Sequence, residues 1–348
     1  MQRATPHQSS DRFVRAPTIT RRQVIAAGTG WMGAVALPAA AAQSAEPIDT
    51  VWKDAVRNRG LPIRLRLPTA HTPVPRGGWP VIVYSHGLGG SRDGGGVWGQ
   101  AWANAGFVVV HVQHPGSDTD AVRAAPRTGL GRISLTEVAG AGQLLARLQD
   151  VVFILDEIAR QKTISKQWAN VRVDAVGVAG HSFGALTVLG VGGQTYPGYA
   201  AIQEPRVGAL LALSPTMPVS GEPVQAYAKV TRPTLCITGT LDGDVLGNGA
   251  TAERRAAVFD ALPVGQKAIL LVKNADHFTF GGIKDGSGSQ RLNQQREAIA
   301  IQLQLSHQAL VADITVNWWR AYLLGDASAA TRLTAPVGLG HSDVWRQG

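Results

Sequence analysis

The chain has 348 residues, of which 45% are hydrophobic, and its 33 lysines and arginines outnumber its 24 acidic residues to give a net charge of +9. A chain of this length and hydrophobicity can bury a large core, which excludes a small domain held together by disulfides. The single cysteine, Cys236, cannot form an intramolecular disulfide, and its apolar surroundings are typical of a buried strand.

The first 45 residues differ from the rest of the chain. The pair Arg21-Arg22 precedes a moderately hydrophobic run, residues 24–42, which ends in small residues. This pattern is typical of a twin-arginine export signal. A membrane anchor is the alternative, but glycine and alanine dilute the run, and a span needs about 20 strongly apolar residues. We therefore expect an export leader over residues 1–45, recognised by the twin-arginine machinery, and a periplasmic or secreted protein without a stable membrane anchor.

The leader also carries much of the positive charge. Residues 1–42 hold five arginines and one aspartate, a net +4 of the total of +9, which leaves about +5 on the remainder. The remainder has no run of lysine and arginine long enough to indicate a nucleic-acid groove, so no nucleic-acid partner is expected. We expect cleavage after Ala42 or Ala45 and a single domain over residues 46–348.

Apolar runs and turn residues predict strands and helices that alternate along the chain. The predicted strands cover residues 51–56, 61–67, 80–85, 107–112, 171–179, 207–214, 234–239 and 267–272. Helices are predicted over residues 94–105, within 135–161, from 185, over 251–262 and over 294–324, either as one helix or two. The polar stretch 114–132, the glycine-rich stretch 281–289 and the tail are expected to be irregular.

The order of these elements predicts the fold class. The first two strands form an antiparallel hairpin around an Asn-Arg-Gly turn, and the later strands are continuously apolar, as strands buried on both faces are. Strands alternating with helices predict an α/β fold with a mostly parallel central sheet that is flanked by helices. Catalytic groups in such a sheet lie at the carboxyl ends of the strands.

The strongest single motif is Gly180-His181-Ser182-Phe183-Gly184, which has the form G-x-S-x-G. A predicted strand leads into it and a predicted helix begins at Ala185. This context presents the serine as a nucleophile at the edge of a sheet, and side chains at the two glycine positions would collide with the neighbouring strand and helix. We predict Ser182 as a nucleophile rather than as a serine in an ordinary glycine-rich turn.

A serine hydroxyl at neutral pH needs a neighbouring base, and in this architecture the acid and then the histidine follow the serine along the chain. Three histidines come after Ser182. His277 directly follows a predicted strand, whereas His307 lies within a predicted helix, where a surface role is expected, and His341 lies in the tail. We predict His277 as the base.

The acid that orients this base is expected after the strand 234–239. Asp242 comes first after the Gly239 turn and is the predicted triad acid, with Asp244 as the alternative. Whichever aspartate is not the triad acid is expected to cap the loop. Asp276 adjoins His277 in sequence and is predicted to be structural.

Negative charge develops on the carbonyl oxygen during acyl transfer, and backbone N–H groups commonly stabilise it. One donor is predicted to be Phe183, the residue after the nucleophile. The second is predicted to be Leu88 in the loop His86-Gly87-Leu88-Gly89-Gly90, whose glycines allow close approach of the backbone. His86 is expected to support this loop, because it precedes the serine in the chain.

The segment His111-Val112-Gln113-His114 has the H-x-x-H spacing of some metal ligands. The first histidine lies on a predicted strand, and residues three apart on a strand point to opposite faces, so no metal site is predicted. The proposed chemistry also needs no organic cofactor. His114 and Asp118 are instead expected near the rim of the site.

Four motifs together resemble a known family. They are Ser85-His86-Gly87-Leu88-Gly89-Gly90, the Ser182 motif, Gly239-Thr240-Leu241-Asp242 and Ala275-Asp276-His277-Phe278, and they resemble α/β-hydrolases of the platelet-activating-factor acetylhydrolase type. The resemblance covers about residues 51–280 and implies a single α/β-hydrolase catalytic domain, with Leu88 and Phe183 as the oxyanion hole. Residues 214–231 are too few for a large cap domain, so an open site is expected.

Relatives of this family include proteins labelled dienelactone hydrolase and bacterial polyester hydrolases of the cutinase kind. Dienelactone hydrolases use a cysteine where this chain has Ser182, and cutinase-like enzymes usually carry a disulfide that one cysteine cannot provide. The leading hypothesis is an exported serine carboxylesterase for small or short-acyl esters, including lipid esters of the acetylhydrolase type. A polyester hydrolase, an amide or thioester hydrolase, and a non-catalytic binding protein remain as alternatives.

Overall fold

The computed structural model describes residues 46–69, 72–126, 135–218, 220–247, 249–283 and 295–348. The expected leader, residues 1–45, lies outside the described residues, as does most of the stretch 281–289. Within the described part of the chain, no helix has the length and hydropathy that crossing a bilayer requires.

The described residues form one sheet of nine strands in the order β1-β2-β4-β3-β5-β6-β7-β8-β9. The strands are β1 Ile48–Asp54, β2 Arg59–Arg66, β3 Trp79–Ser85, β4 Val108–Val112, β5 Val171–His181, β6 Val207–Leu213, β7 Thr234–Leu241, β8 Lys267–Asp276 and β9 Val344–Gln347. The six strands from β4 to β8 in this order are mutually parallel. The β1-β2 hairpin and β9 add antiparallel edges.

Helices cover both faces of this sheet. They are α1 Gly96–Asn104, α2 Thr119–Ala124, α3 Leu135–Val138, α4 Ala141–Ile164, α5 Phe183–Val191, α6 Pro223–Tyr227, α7 Ala252–Ala261, α8 Ala298–Leu324 and α9 Ala327–Thr334. Alternate residues of β3 belong to two separate cores. Val81 and Val83 lie in the core that includes residues of α4, α5 and α7, whereas Ile82 and Tyr84 lie in the core that includes residues of α1 and α8. This alternation explains the continuously apolar sequence of β3, because both of its faces are buried.

Two predictions for irregular segments are wrong. The stretch 114–132 contains α2, which the Asp118 carboxylate caps by accepting a hydrogen bond from the N–H of Ala121. The tail contains β9, which pairs with β8 and is anchored by the Trp345 indole bonded to the carbonyl of Leu333. Both elements are too short to show hydrophobic periodicity, and β9 is defined by its partner strand rather than by its own sequence.

The parallel strands place their carboxyl ends at one edge of the sheet, where each continues into a loop that carries predicted site residues. Leu88 follows β3, Ser182 follows β5, Asp242 follows β7 and His277 follows β8. Between β6 and β7 the described residues hold only α6, a helix of five residues. No large cap domain is therefore inserted at this point.

Candidate active site

Ser182 occupies a strained turn between β5 and α5. Its φ of 57° and ψ of −115° lie where residues other than glycine are seldom found. A Cβ at Gly180 would lie 2.4 Å from the carbonyl oxygen of Gly184, and one at Gly184 would lie 2.0 Å from the carbonyl oxygen of Ser85. Both glycines are thus required by close backbone contacts, as the motif predicts, and the strain holds the Ser182 side chain at the end of the sheet.

Asp242 and His277 meet beneath the loops at the carboxyl edge. The Nδ1–H of His277 donates to Oδ1 of Asp242 over 2.8 Å, and Oγ1 of Thr238 donates to the other carboxylate oxygen over 2.8 Å. Asp242 is fully buried and His277 is 3% exposed. The carboxylate therefore fixes which imidazole nitrogen carries the proton and leaves Nε2 as the acceptor.

Arg255, on α7, is a second partner of the same carboxylate. Its Nε lies 3.0 Å from Oδ1 of Asp242, and its guanidinium also donates to the carbonyl oxygen of Ser214 over 3.0 Å. Burial alone would raise the pKa of Asp242, but the charges of His277 and Arg255 and the hydrogen bond from His277 lower it to about 2. Asp242 is therefore ionised throughout the neutral range.

His181, the residue before Ser182 in the G-x-S-x-G motif, contacts His277. Its Nε2 bonds to the carbonyl oxygen of His277 over 2.9 Å, and the two ring centroids are 4.6 Å apart. Burial lowers the pKa of His181 well below its usual value, so the ring is neutral and donates this bond. The G-x-S-x-G motif therefore positions both Ser182 and His277, the predicted base.

A small pocket brings these groups together. Its lining includes Ser182, His277 and His181. It also includes Leu88 in the loop from His86 to Gly90, which we call the oxyanion loop. The structure therefore brings Ser182, His277 and one predicted oxyanion donor, Leu88, to one pocket, while the buried Asp242 reaches it through its hydrogen bond to His277. Phe183, the other predicted donor, begins α5 directly after Ser182.

A buried arginine, Arg147 on α4, joins the two segments that carry the predicted oxyanion donors. Its Nη1 donates to the carbonyl oxygen of His86 over 2.7 Å, and its Nε donates to Oγ of Ser117 over 2.8 Å. Its guanidinium carbon lies 4.3 Å from the centroid of the Phe183 ring. Burial lowers the pKa of Arg147 to about 9, which leaves the side chain charged at neutral pH.

Next to Arg147 lies a second serine, histidine and aspartate arrangement. Nε2 of His114 bonds to Oγ of Ser85 over 3.0 Å, and its Nδ1 bonds to Asp150 over 2.9 Å. All three residues are fully buried, so substrate cannot reach this serine. The backbone N–H of His114 also donates to Nε2 of His86. The cluster lies beneath the oxyanion loop, and the prediction that His114 lies at the rim is wrong.

We expect Arg147→Met to lower kcat by about 10- to 100-fold, because a misplaced oxyanion donor loses part of the 10²- to 10³-fold that one donor contributes. KM should change less, since Arg147 is buried and does not line the pocket that contains Ser182. Steady-state kinetics with a short ester measure both constants. Arg160→Met on the same helix removes an exposed arginine that pairs with Glu157 and is the matched control. Equal effects of the two variants on kcat would contradict this role for Arg147.

The remaining candidates occupy structural positions. Asp244 is exposed, and its carboxylate accepts the N–H groups of Leu246, Gly247 and Gly249, as a loop cap does. Asp276 pairs with Arg296 over 2.6 Å. His307 is 8% exposed, which corrects the prediction of a surface role, because α8 turns this residue toward the protein. Among the described residues, no cluster of three or more histidine, cysteine or acidic side chains is arranged to hold a metal ion.

Sequence reasoning missed Arg147, Arg255 and the His181 contact. Each depends on a partner that is distant in sequence: Arg147 lies 61 positions from His86, and His181 lies 96 positions from His277. The available signal was local sequence, because an arginine flanked by apolar residues in a predicted core helix, as Arg147 is, is a candidate for a buried, paired charge. That signal does not identify the partner.

The chain has the α/β-hydrolase fold: a mostly parallel sheet is flanked by helices, and Ser182 on its strained turn and the Asp242–His277 pair lie at its carboxyl edge. Residues 48–125 match the family described as platelet-activating factor acetylhydrolase, isoform II. The matched region contains Leu88 and ends before Ser182. This finding confirms the resemblance predicted from the sequence.

Among solved structures, a ferulic acid esterase from Streptomyces cinnamoneus is similar to this chain, with a TM-score of 0.51 and 19% sequence identity. The similarity covers 80% of this chain and 89% of that one, and it confirms the predicted fold. No curated protein matches the chain. The family match and the fold together support a carboxylic ester hydrolase.

Proposed function

We propose that the chain is a serine carboxylesterase that cleaves small or short-acyl esters through an acyl-enzyme. The observation that carries this proposal is the buried Asp242–His277 hydrogen bond of 2.8 Å, whose histidine lines the same pocket as Ser182 on its strained turn. Nucleophile, base and orienting acid are the three parts that ester cleavage by a serine requires. The acetylhydrolase match over residues 48–125 supports the same reaction class.

In the proposed mechanism His277 accepts the proton of Ser182 as Oγ attacks the ester carbonyl. The N–H groups of Leu88 and Phe183 stabilise the oxyanion, each by about 3 kcal/mol. His277 then gives the proton to the departing alkoxide, so the alcohol leaves and an acyl-Ser182 ester remains. A water molecule, deprotonated by His277, hydrolyses this ester and regenerates the free serine. Asp242 stays ionised throughout and stabilises the imidazolium.

Other acyl compounds would use the same residues. Lipid esters of the acetylhydrolase type follow from the family match, and esters of aromatic acids follow from the name of the similar ferulic acid esterase. Polyesters, amides and thioesters are further candidates, because a triad does not select among acyl groups. A non-catalytic binding protein is the least supported alternative, since it would not need the Asp242–His277 pair.

An irreversible organophosphorus ester tests the proposal directly. Diethyl p-nitrophenyl phosphate should release p-nitrophenol, abolish hydrolysis of p-nitrophenyl butyrate, and leave a diethylphosphoryl group on the peptide that contains Ser182. Tandem mass spectrometry locates the group. Heat-unfolded protein is the control, because labelling requires the folded arrangement of Ser182 and His277. Labelling at another residue, or none in folded protein, would overturn the proposal.

We also propose that the protein is exported by the twin-arginine pathway and acts in the periplasm or outside the cell. The support is the Arg21-Arg22 pair and the hydrophobic run that follows it. Replacement of both arginines by lysine, which keeps the charge, should retain the protein in the cytoplasm of a bacterial host. Cell fractionation and immunoblotting measure the distribution. Unchanged export of the double variant would exclude this pathway.

A further inference from the structure

A second and larger cavity adjoins Ser182. Its volume is about 420 Å³, and Ser182, Leu88 and Leu246 line both this cavity and the small pocket that contains His277. The larger cavity also contacts Phe183 and is lined by residues of α4, α5 and the loops that follow α5 and β6. The small pocket and the larger cavity therefore both reach Ser182 and the predicted oxyanion donor Leu88. We refer to the larger space as the Leu186 cavity.

The direction of proton transfer decides which part of an ester enters which space. The departing alkoxide must receive its proton from His277, so the alcohol part has to lie on the side of the small pocket. The carbonyl oxygen points at the N–H groups of Leu88 and Phe183. The acyl chain then enters the Leu186 cavity. His277 does not line this cavity, so it cannot hold the departing alcohol.

The walls of this cavity are mostly apolar. Its lining includes Leu144 on α4, Leu186 on α5, and Tyr196, Tyr199 and Met217 from the loops. Tyr196 is held by a hydrogen bond of 3.0 Å to the carbonyl oxygen of Leu186, so its ring is fixed against the space. Aromatic rings and a methionine sulfur pack well against an aromatic ligand.

The size of the cavity excludes an acetyl group as the best fit. An apolar cavity of about 150 Å³ holds one benzene molecule, whereas this one has about 420 Å³. An acetyl group would leave most of the apolar wall in contact with water, and a linear chain of sixteen carbons would lose the freedom of many rotatable bonds on binding. A benzene ring carried on a short alkyl chain fits within this volume, has few rotatable bonds and can pack against the aromatic walls.

We infer that the Leu186 cavity is the acyl-binding site and that it selects arylalkanoyl groups of about the size of 3-phenylpropanoyl. This inference rests on the proposed function, and it narrows the expected acyl groups to compact, apolar ones that are larger than acetyl. It assigns selectivity to the acid rather than to the alcohol of the ester. The positions that set acyl size are Leu144 and Leu186, which touch the cavity and take no part in proton transfer.

A series of p-nitrophenyl esters with a constant alcohol tests this inference. One extra methylene in an apolar pocket changes kcat/KM by about 10- to 200-fold, so we expect 3-phenylpropanoate to exceed acetate by about 100-fold or more. Each value is divided by the rate of hydroxide-catalysed hydrolysis to remove intrinsic reactivity. Palmitate should be slower than 3-phenylpropanoate. Acetate or palmitate as the best substrate would overturn the inference.

Two substitutions at Leu144 locate the selectivity. Leu144→Phe fills the cavity and should reduce the ratio of 3-phenylpropanoate to acetate by about tenfold or more, while Leu144→Ala should favour larger acyl groups. Leu145→Phe makes the same change one position along α4, at a residue that does not line the cavity, and should keep the wild-type ratio. An unchanged ratio in both Leu144 variants would overturn the inference but leave the esterase proposal intact. Absence of any Ser182-dependent hydrolysis would overturn the esterase proposal itself.

Discussion

Ser182→Ala should lower kcat for p-nitrophenyl esters by about 10⁵- to 10⁶-fold, since removal of a triad serine costs about that much. The alanine lacks the oxygen that forms the acyl-enzyme, and neither His277 nor Asp242 can replace it. Folding should be almost unaffected, because the hydroxyl is partly exposed to the pocket and the strained turn is kept. Initial rates under substrate saturation, with a thermal melt of each protein, measure both effects.

The second serine cluster supplies the control for this prediction. Ser85 bonds to His114, which bonds to Asp150, and on residue types alone this cluster resembles a triad as closely as the Ser182 site does. Ser85→Ala should lower kcat by about tenfold at most, as expected for one buried hydrogen bond. Loss of activity in Ser85→Ala with retention in Ser182→Ala would reverse the assignment of the nucleophile.

Comparison of these two serines shows what the sequence could predict. Ser182 was predicted because its motif prescribes a local backbone shape: two glycines without room for a Cβ and a strand followed by a helix. The same local logic predicted the parallel strands, since continuous apolar runs such as those of β3 and β6 have few alternatives. The order of acid and histidine along the chain placed Asp242 and His277 at the same edge of the sheet.

What the sequence could not predict depends on long-range contacts. Arg147 and Arg255 lie on helices whose position relative to the active-site loops depends on packing throughout the core. The neighbouring sequence therefore does not identify their hydrogen-bond partners. His307 was expected at the surface because a histidine in a helix is usually exposed, but the packing of α8 buries it. Short elements such as α2 and β9 have too few residues for periodicity, and caps and partner strands define them instead.

Asp242→Asn should lower kcat by about 10⁴-fold while KM changes little. An asparagine keeps the shape of the side chain but can present its amide to His277, which favours the tautomer that carries the proton on Nε2 and cannot accept the proton of Ser182. It also loses the charge that stabilises the imidazolium. Asp244→Asn, two positions further on in the same loop, removes an exposed carboxylate that caps the backbone and should leave kcat within about threefold of wild type. Equal losses in both variants would indicate a general disturbance of the loop.

The ion pair with Arg255 adds an effect on stability that distinguishes this site from a simple Asp-His pair. Arg255 is 2% exposed, so neutralising Asp242 leaves a buried guanidinium with only carbonyl and hydroxyl partners, which costs about 3 kcal/mol. Because the folded-state pKa of Asp242 is lowered from 3.8 to about 2, its contribution to stability is complete above pH 3.8 and is lost as the pH falls toward 2. Denaturant unfolding between pH 7 and pH 2 should therefore show Asp242→Asn less stable than wild type at neutral pH, with the two curves converging in acid. The double variant with Arg255→Met and Asp242→Asn should recover part of the stability, because no unpaired guanidinium is left buried. It should recover none of the activity, because it still lacks the carboxylate that orients His277.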